Sequence, residues 1–193
     1  MLPDLPAPAI EPWSLPYEER LDTRALGAVR GVVIHCTETP DLALARELGE
    51  RVLYPSGTGN SGHYYIDRDG RVLQFVAPTR VAHHVRGRND ETIGIELVNR
   101  GRWPRWLDAD HQAMDEPYSE AQIVALIGLL ERLRAELPQL QWIAGHEELD
   151  RERTPASDDP ARQVARKRDP GPQFPWQRVL QAVPLQRLDA APR

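Results

Sequence analysis

The chain is poor in the features that usually announce a chemistry. It has one cysteine in 193 residues, so no internal disulfide can form, and Cys36 says nothing for or against an oxidising compartment. It contains no HExxH, no CxxC and no glycine-rich phosphate loop. Any metal site therefore has to be assembled from positions far apart in the chain. No apolar run approaches the roughly 18–20 residues of a membrane span, so no transmembrane segment is expected. The opening "MLPDLPAPAIEPW" has neither the basic n-region nor the apolar h-region of an export signal. A cytoplasmic protein is expected, or a periplasmic or envelope protein whose export signal has been removed. Excess positive charge is also missing. The formal net charge of -5 gives no general attraction to nucleic acid or anionic lipid, and no nucleic-acid partner is expected.

What is present suits a single globular domain with a substantial core, expected to be a monomer. Hydrophobic residues at 40% and charged residues at 27% are ordinary for that class. Residues 1–21 are rich in proline and show no period, so they read as an N-terminal arm or tail. "GVVIH" (31–35) is a short buried strand by its β-branched content. In 41–53, Leu44, Leu48 and Val52 recur at helical spacing and predict an amphipathic helix with those residues on its apolar face. "HYYIDRDGRVLQFV" (63–76) reads as a hairpin turning at Asp69-Gly70. "TIGIELV" (92–98) alternates, with Ile93, Ile95 and Leu97 on one face and Gly94, Glu96 and Val98 on the other.

The clearest helix is 119–137. Ser119 and Gln122 form a capping box, Ile123, Leu126, Ile127, Leu130, Leu133 and Leu137 line one face, and Pro138 stops it. "QWIAGH" (141–146) is a strand ending on a histidine, as the first one does. From Glu147 to Pro172 the chain is charged and aperiodic, and a long loop is expected. The order β-α-β-β-β-α-β implies an α/β fold: one domain over 22–182, with a mixed central sheet flanked by helices and a C-terminal tail at 183–193.

The residues that can carry chemistry are His35 and His146, each closing a strand, and Asp169 in "RKRDPGPQFPW". Two imidazoles and a carboxylate suit zinc, with a fourth position left for water. Zinc lowers the pKa of that water to about 7 and polarises a carbonyl. Each residue alone also fits a packed or solvated role, and spacing does not choose between these.

"IHCTETP", "IGIELVNRG", "AGHEELD" and "RKRDPGPQFPW", in this order, resemble the zinc-dependent N-acetylmuramoyl-L-alanine amidases of the amidase type-2 family, relatives of the peptidoglycan recognition proteins. Two of these segments, "IGIELVNRG" and "KRDPGPQFPW", resemble those of the broad-specificity envelope amidases. The resemblance implies one Zn2+ ion held by His35, His146 and Asp169. It implies Glu96 as the catalytic glutamate, Lys167 as the cation that stabilises the oxyanion, and a peptidoglycan or muropeptide substrate. The pattern of the residues is compatible. Glu96 lies on the strand face opposite Ile93, Ile95 and Leu97, and in an extended stretch Lys167 and Asp169 leave on the same side.

His84, in "VAHHVRG", corresponds to the histidine of the family's Trp-His-Ala-Gly-like segment, although His83 and Val85 depart from that pattern. His84 and Asn89 are taken as substrate-binding candidates, with a loop-capping role open for Asn89. Phage lysozyme-like relatives use a cysteine in place of the aspartate, and a tyrosine just before the histidine of a segment like "GHYYIDRDG". Here the aspartate is present and Gly62 holds the tyrosine's position. Cys36 therefore reads as a buried, inert thiol, and neither Tyr64 nor Tyr65 is given that role. His63 is expected to pack within its hairpin and His111 to lie in a surface loop. Pro170, Pro172, Phe174 and Trp176 are expected to stiffen and support the rim. A non-catalytic peptidoglycan-binding module and a zinc peptidase acting on the stem peptide are the competing readings.

Overall fold

A computed structural model describes residues 8–188. The chain opens with a short edge strand, β1 (Ile10–Pro12), and then lays down β2 (Gly31–Cys36) and helix α1 (Leu42–Glu50). The hairpin β3 (Tyr64–Ile66) and β4 (Val72–Gln74) follows, then β5 (Thr92–Leu97), helix α2 (Glu120–Glu136) and β6 (Trp142–Gly145). The last third holds α3 (His146–Leu149), β7 (Arg153–Pro155), β8 (Gln163–Ala165), α4 (Trp176–Ala182) and β9 (Gln186–Arg187). Seven strands form one sheet in the order β1-β4-β3-β5-β2-β6-β9, and β7 pairs with β8 apart from it. The sheet is mixed: β3 is antiparallel to β4, while β3, β5, β2, β6 and β9 run parallel to one another. Among the described residues no helix is long and apolar enough to cross a membrane.

The sheet's two faces have different jobs. On one face Val32, Ile34, Ile93, Ile95 and Leu97 meet Ile123, Leu126, Ile127, Leu130 and Leu133 of α2 in one buried cluster. Each fully buried aliphatic side chain there is worth about 1.5–3 kcal/mol, so α2 is held by its stripe. Its start is set as expected: Ser119 and Gln122 make a reciprocal capping box. On the other face, the alternation that sends Ile93 and Ile95 to α2 turns Gly94 and Glu96 the opposite way. The strand pairing sets His35 directly beside Glu96. The parallel strands β2, β5 and β6 end together, and it is beyond the carboxyl ends of such strands that α/β sheets build their sites.

Four expectations are corrected. The buried face of α1 is Leu42, Ala45, Arg46 and Gly49; Leu44 and Leu48 are half-buried, and Val52 lies past the helix end and is exposed. The cause is Arg46. Its guanidinium lies 4.6 Å from the ring centroids of both Trp13 and Phe75 and donates to the Ser14 carbonyl, which turns that side of the helix inward. The expected arm carries β1 and contributes Leu15, Tyr17 and Leu21 to a second core cluster. The expected tail carries β9, which pairs with β6. The outermost parts of both, residues 1–7 and 189–193, lie outside the described residues. The expected loop over 147–172 holds most of α3 and the β7–β8 hairpin.

Candidate metal centre and its cleft

A cleft of about 890 Å³ opens over the strand ends, and His35, His84, Glu96, His146, Lys167 and Asp169 all line it. His35 arrives on β2, and His146 follows β6 as the first residue of α3. Gly145 lets that turn form, because a Cβ there would lie 2.8 Å from Pro170 Cδ. The Asp169 carbonyl accepts the Glu147 N–H at 2.9 Å, which ties the third residue to the same helix start. All three side chains are buried, and their ligating atoms lie within 4.8 Å of one another. Asp169 Oδ2 is 2.9 Å from His35 Nδ1 and 3.0 Å from His146 Nδ1.

The hydrogen-bond chain behind His35 determines where its proton lies. Thr92 Oγ1 has one proton and gives it to the Arg88 carbonyl at 2.7 Å. It therefore accepts at 3.1 Å from His84 Nε2. Burial and the neighbouring His35 hold His84 far below its ordinary pKa, so it is neutral and its Nδ1 is bare. That Nδ1 accepts from His35 Nε2 at 3.0 Å. Burial, then the adjacent His146, lowers the His35 pKa to about 4, so His35 is also neutral. With its one proton on Nε2, its Nδ1 presents a lone pair to the Asp169 carboxylate. Two acceptors facing each other in a buried site need a cation between them. Asp169 Oδ1 and His146 Nε2 add buried polar atoms with no hydrogen-bond partner. This donor set fits a metal ion.

Glu96 has a place cleared for it. A Cβ at Gly62 would lie 2.9 Å from Glu96 Cγ, so the missing side chain at 62 is what admits the glutamate. Glu96 Oε2 is buried without a partner. Burial and, second, the Asp169 carboxylate push its pKa up to about 8, against the pull of Lys167. Lys167 is the only lysine in the chain.

The N-acetylmuramoyl-L-alanine amidase family matches residues 25–172 of this sequence. The chain belongs to this amidase family. The N-acetylmuramoyl-L-alanine amidase AmiD of Escherichia coli (strain K12) is 33% identical over 183 residues, covering 84% of this chain and 58% of that protein. The chain thus spans less than two thirds of that relative's length. A structure of E. coli AmiD in complex with the substrate anhydro-N-acetylmuramic acid-L-Ala-D-gamma-Glu-L-Lys matches with 26% identity and a TM-score of 0.63, over 86% of this chain and 61% of that one. Two further structures show the shared fold. The amidase LysC from Clostridium intestinale URNW has 17% identity, a TM-score of 0.66 and coverage of 93% and 99%. Bumblebee PGRP-SA has 16% identity, a TM-score of 0.60 and coverage of 94% and 98%. The amidase and recognition-protein fold expected from the sequence is the one observed.

Against this amidase frame, His35, His146 and Asp169 are brought together as expected, with Glu96 and Lys167 in the same cleft. The two substrate-binding candidates, His84 and Asn89, line the same cleft. Both ring nitrogens of His84 are engaged, with His35 and Thr92, so it also braces His35. Asn89 Oδ1 accepts from the N–H groups of His84 and Val85 at 3.0 and 2.9 Å, which is the loop-capping role. Cys36 is buried, and burial holds its thiol well above the usual range. Thr92 went unnoticed in the sequence, although the alternation that marks Glu96 puts Thr92 on the same strand face.

Proposed function

We propose that this chain is a zinc-dependent N-acetylmuramoyl-L-alanine amidase, cutting the amide between the lactyl group of muramic acid and L-alanine in peptidoglycan or muropeptides. The observation that carries it is the buried convergence of His35 Nδ1 and His146 Nδ1 on one Asp169 carboxylate oxygen, at 2.9 and 3.0 Å. His35, His146 and Asp169 hold the ion, and two imidazoles with one carboxylate are a zinc donor set that leaves a position open. Zinc, when bound, polarises a carbonyl and lowers the pKa of water to about 7.

Glu96 acts as the general base and takes a proton from the attacking water. Taking that proton neutralises a buried carboxylate, which its raised pKa favours, and the proton then passes to the nitrogen of the departing alanine. Lys167 supplies positive charge where the carbonyl oxygen becomes negative. The cleft is complete within one chain, so the reaction needs no second copy. AmiD's substrate is a muramyl peptide, and we assign the same chemical class here. A binder without catalysis would need no complete triad and no glutamate held ready beside it.

Mass spectrometry of defined muropeptides after incubation tests this directly. The expected products are a peptide beginning at L-alanine and a muramyl sugar free of peptide, both lost when a chelator is added. Cleavage inside the stem peptide, or products unaffected by chelation, would overturn it.

A further inference from the structure

In the wall of the cleft lies a side chain that neither the metal site nor the proposed chemistry uses. Arg102 is 1% exposed, yet each of its five N–H bonds has an acceptor. Nε donates to Glu38 Oε1 at 2.7 Å and Nη2 to Glu38 Oε2 at 2.9 Å, a bidentate pair. Nη1 donates to the Ala165 carbonyl at 2.9 Å and to Gln112 Oε1 at 3.3 Å, and Nη2 reaches the Arg166 carbonyl at 3.2 Å.

The partners join the segments that carry His35, Glu96 and Lys167. Glu38 stands three residues beyond His35 in the left-handed region (φ 48), with its carbonyl held by Trp106 Nε1 at 2.9 Å. Arg102 itself lies just after β5, which carries Glu96. Ala165 and Arg166 immediately precede Lys167.

A buried ion pair is a poor device for stability alone, since apolar residues of similar volume usually serve as well. What they cannot do is orient carbonyls. The Arg166 carbonyl belongs to the same rigid peptide plane as the Lys167 nitrogen, so holding that oxygen holds the position from which the Lys167 side chain leaves. Downstream, the Asp169 carbonyl is anchored by the Glu147 N–H. Between these anchors, Lys167 makes no hydrogen bond or ion pair of its own among the described residues. Where its four-carbon stem starts is therefore set by the backbone alone.

We infer that Arg102, braced by Glu38, is a positioning residue that aims Lys167 at the reacting carbonyl. The inference rests on the amidase reading above. Lysine has three donors on a point charge and cannot match the five-way fork, but it preserves the charge opposite Glu38.

The test is a double-mutant cycle: Arg102→Lys measured in the presence of Lys167 and again in a Lys167→Ala background. With Lys167 present, kcat is expected to fall roughly 10- to 100-fold, the scale of a small misplacement. KM and bound zinc are expected to stay unchanged. In the Lys167→Ala background the same substitution is expected to change kcat less than about twofold, the mark of two residues acting as a unit. An equal fold-loss in both backgrounds, or loss of zinc, overturns the inference and leaves Arg102 a structural residue. If Arg102→Lys does not fold, Glu38→Gln in the same two backgrounds reads the same coupling. Failure of the amidase reading is seen separately, as a parent enzyme that releases no peptide from muropeptides.

Discussion

His84 Nδ1 lies 3.0 Å from His35 Nε2, and that contact places the His35 proton on the side away from Asp169. His35 is thus held from behind: Arg88 carbonyl, Thr92, His84 and His35 form a line in which each donor has one acceptor. Groups that orient a metal-ligating histidine in this way typically account for 10- to 100-fold in metal affinity.

Thr92→Val keeps the shape of residue 92 and removes its hydroxyl. His84 then loses the acceptor that sets its tautomer. Zinc affinity, measured by competition with a chromophoric chelator, is expected to weaken by about 10-fold or more. Unchanged affinity would show that His35 does not depend on this line.

Glu96→Gln separates chemistry from metal binding. It is expected to retain zinc and to lose on the order of 10²–10⁴ in kcat, the usual contribution of a general base. His146→Ala is expected to lose both zinc and activity. Near-normal turnover in Glu96→Gln would remove Glu96 from the mechanism.

The same substitution carries a stability signature in the metal-free protein. Burial raises the Glu96 pKa from 4.5 to about 8, so the fold prefers the protonated form. Its stabilising contribution is full below about pH 4.5 and is lost as the pH rises through 8. Glu96→Gln is neutral at every pH. In chelator-treated urea melts the two proteins should match at pH 4.5, and the variant should be more stable at pH 9 by on the order of 3–5 kcal/mol. Parallel pH curves would mean that the carboxyl is not held in a desolvated site.

Much of this is legible in the sequence. Period-two alternation in 92–98 separates the core residues from Glu96, and the two strand-end histidines fall where parallel strands finish. The rest depended on partners far away in sequence. Arg46 is buried because two aromatic rings from other segments enclose it, and nothing in α1 announces that. β1 and β9 have three and two residues, too few to show a period, and exist because longer neighbours offer them an edge. The Glu38–Arg102 brace joins residues 64 apart whose charges look like ordinary surface ones. The contact by which His84 braces His35 joins residues 49 apart and emerges only from tertiary packing.

Gly62 offers a test of local space. An alanine Cβ would press on Glu96 Cγ at 2.9 Å, and the glutamate would have to leave its position. Gly62→Ala is expected to lower kcat by about 10-fold or more with zinc retained, in keeping with the cost of misplacing a reacting group. Wild-type kcat in this variant would show that Glu96 does not need its present location.

The most direct measurement is a crystal structure of the zinc-soaked protein, with anomalous data at the zinc edge. One ion is expected, bonded to Nδ1 of His35, Nδ1 of His146 and a carboxylate oxygen of Asp169, at about 2.0–2.2 Å from each. Ligation of His35 through Nε2, or no ion between the three side chains, would contradict it.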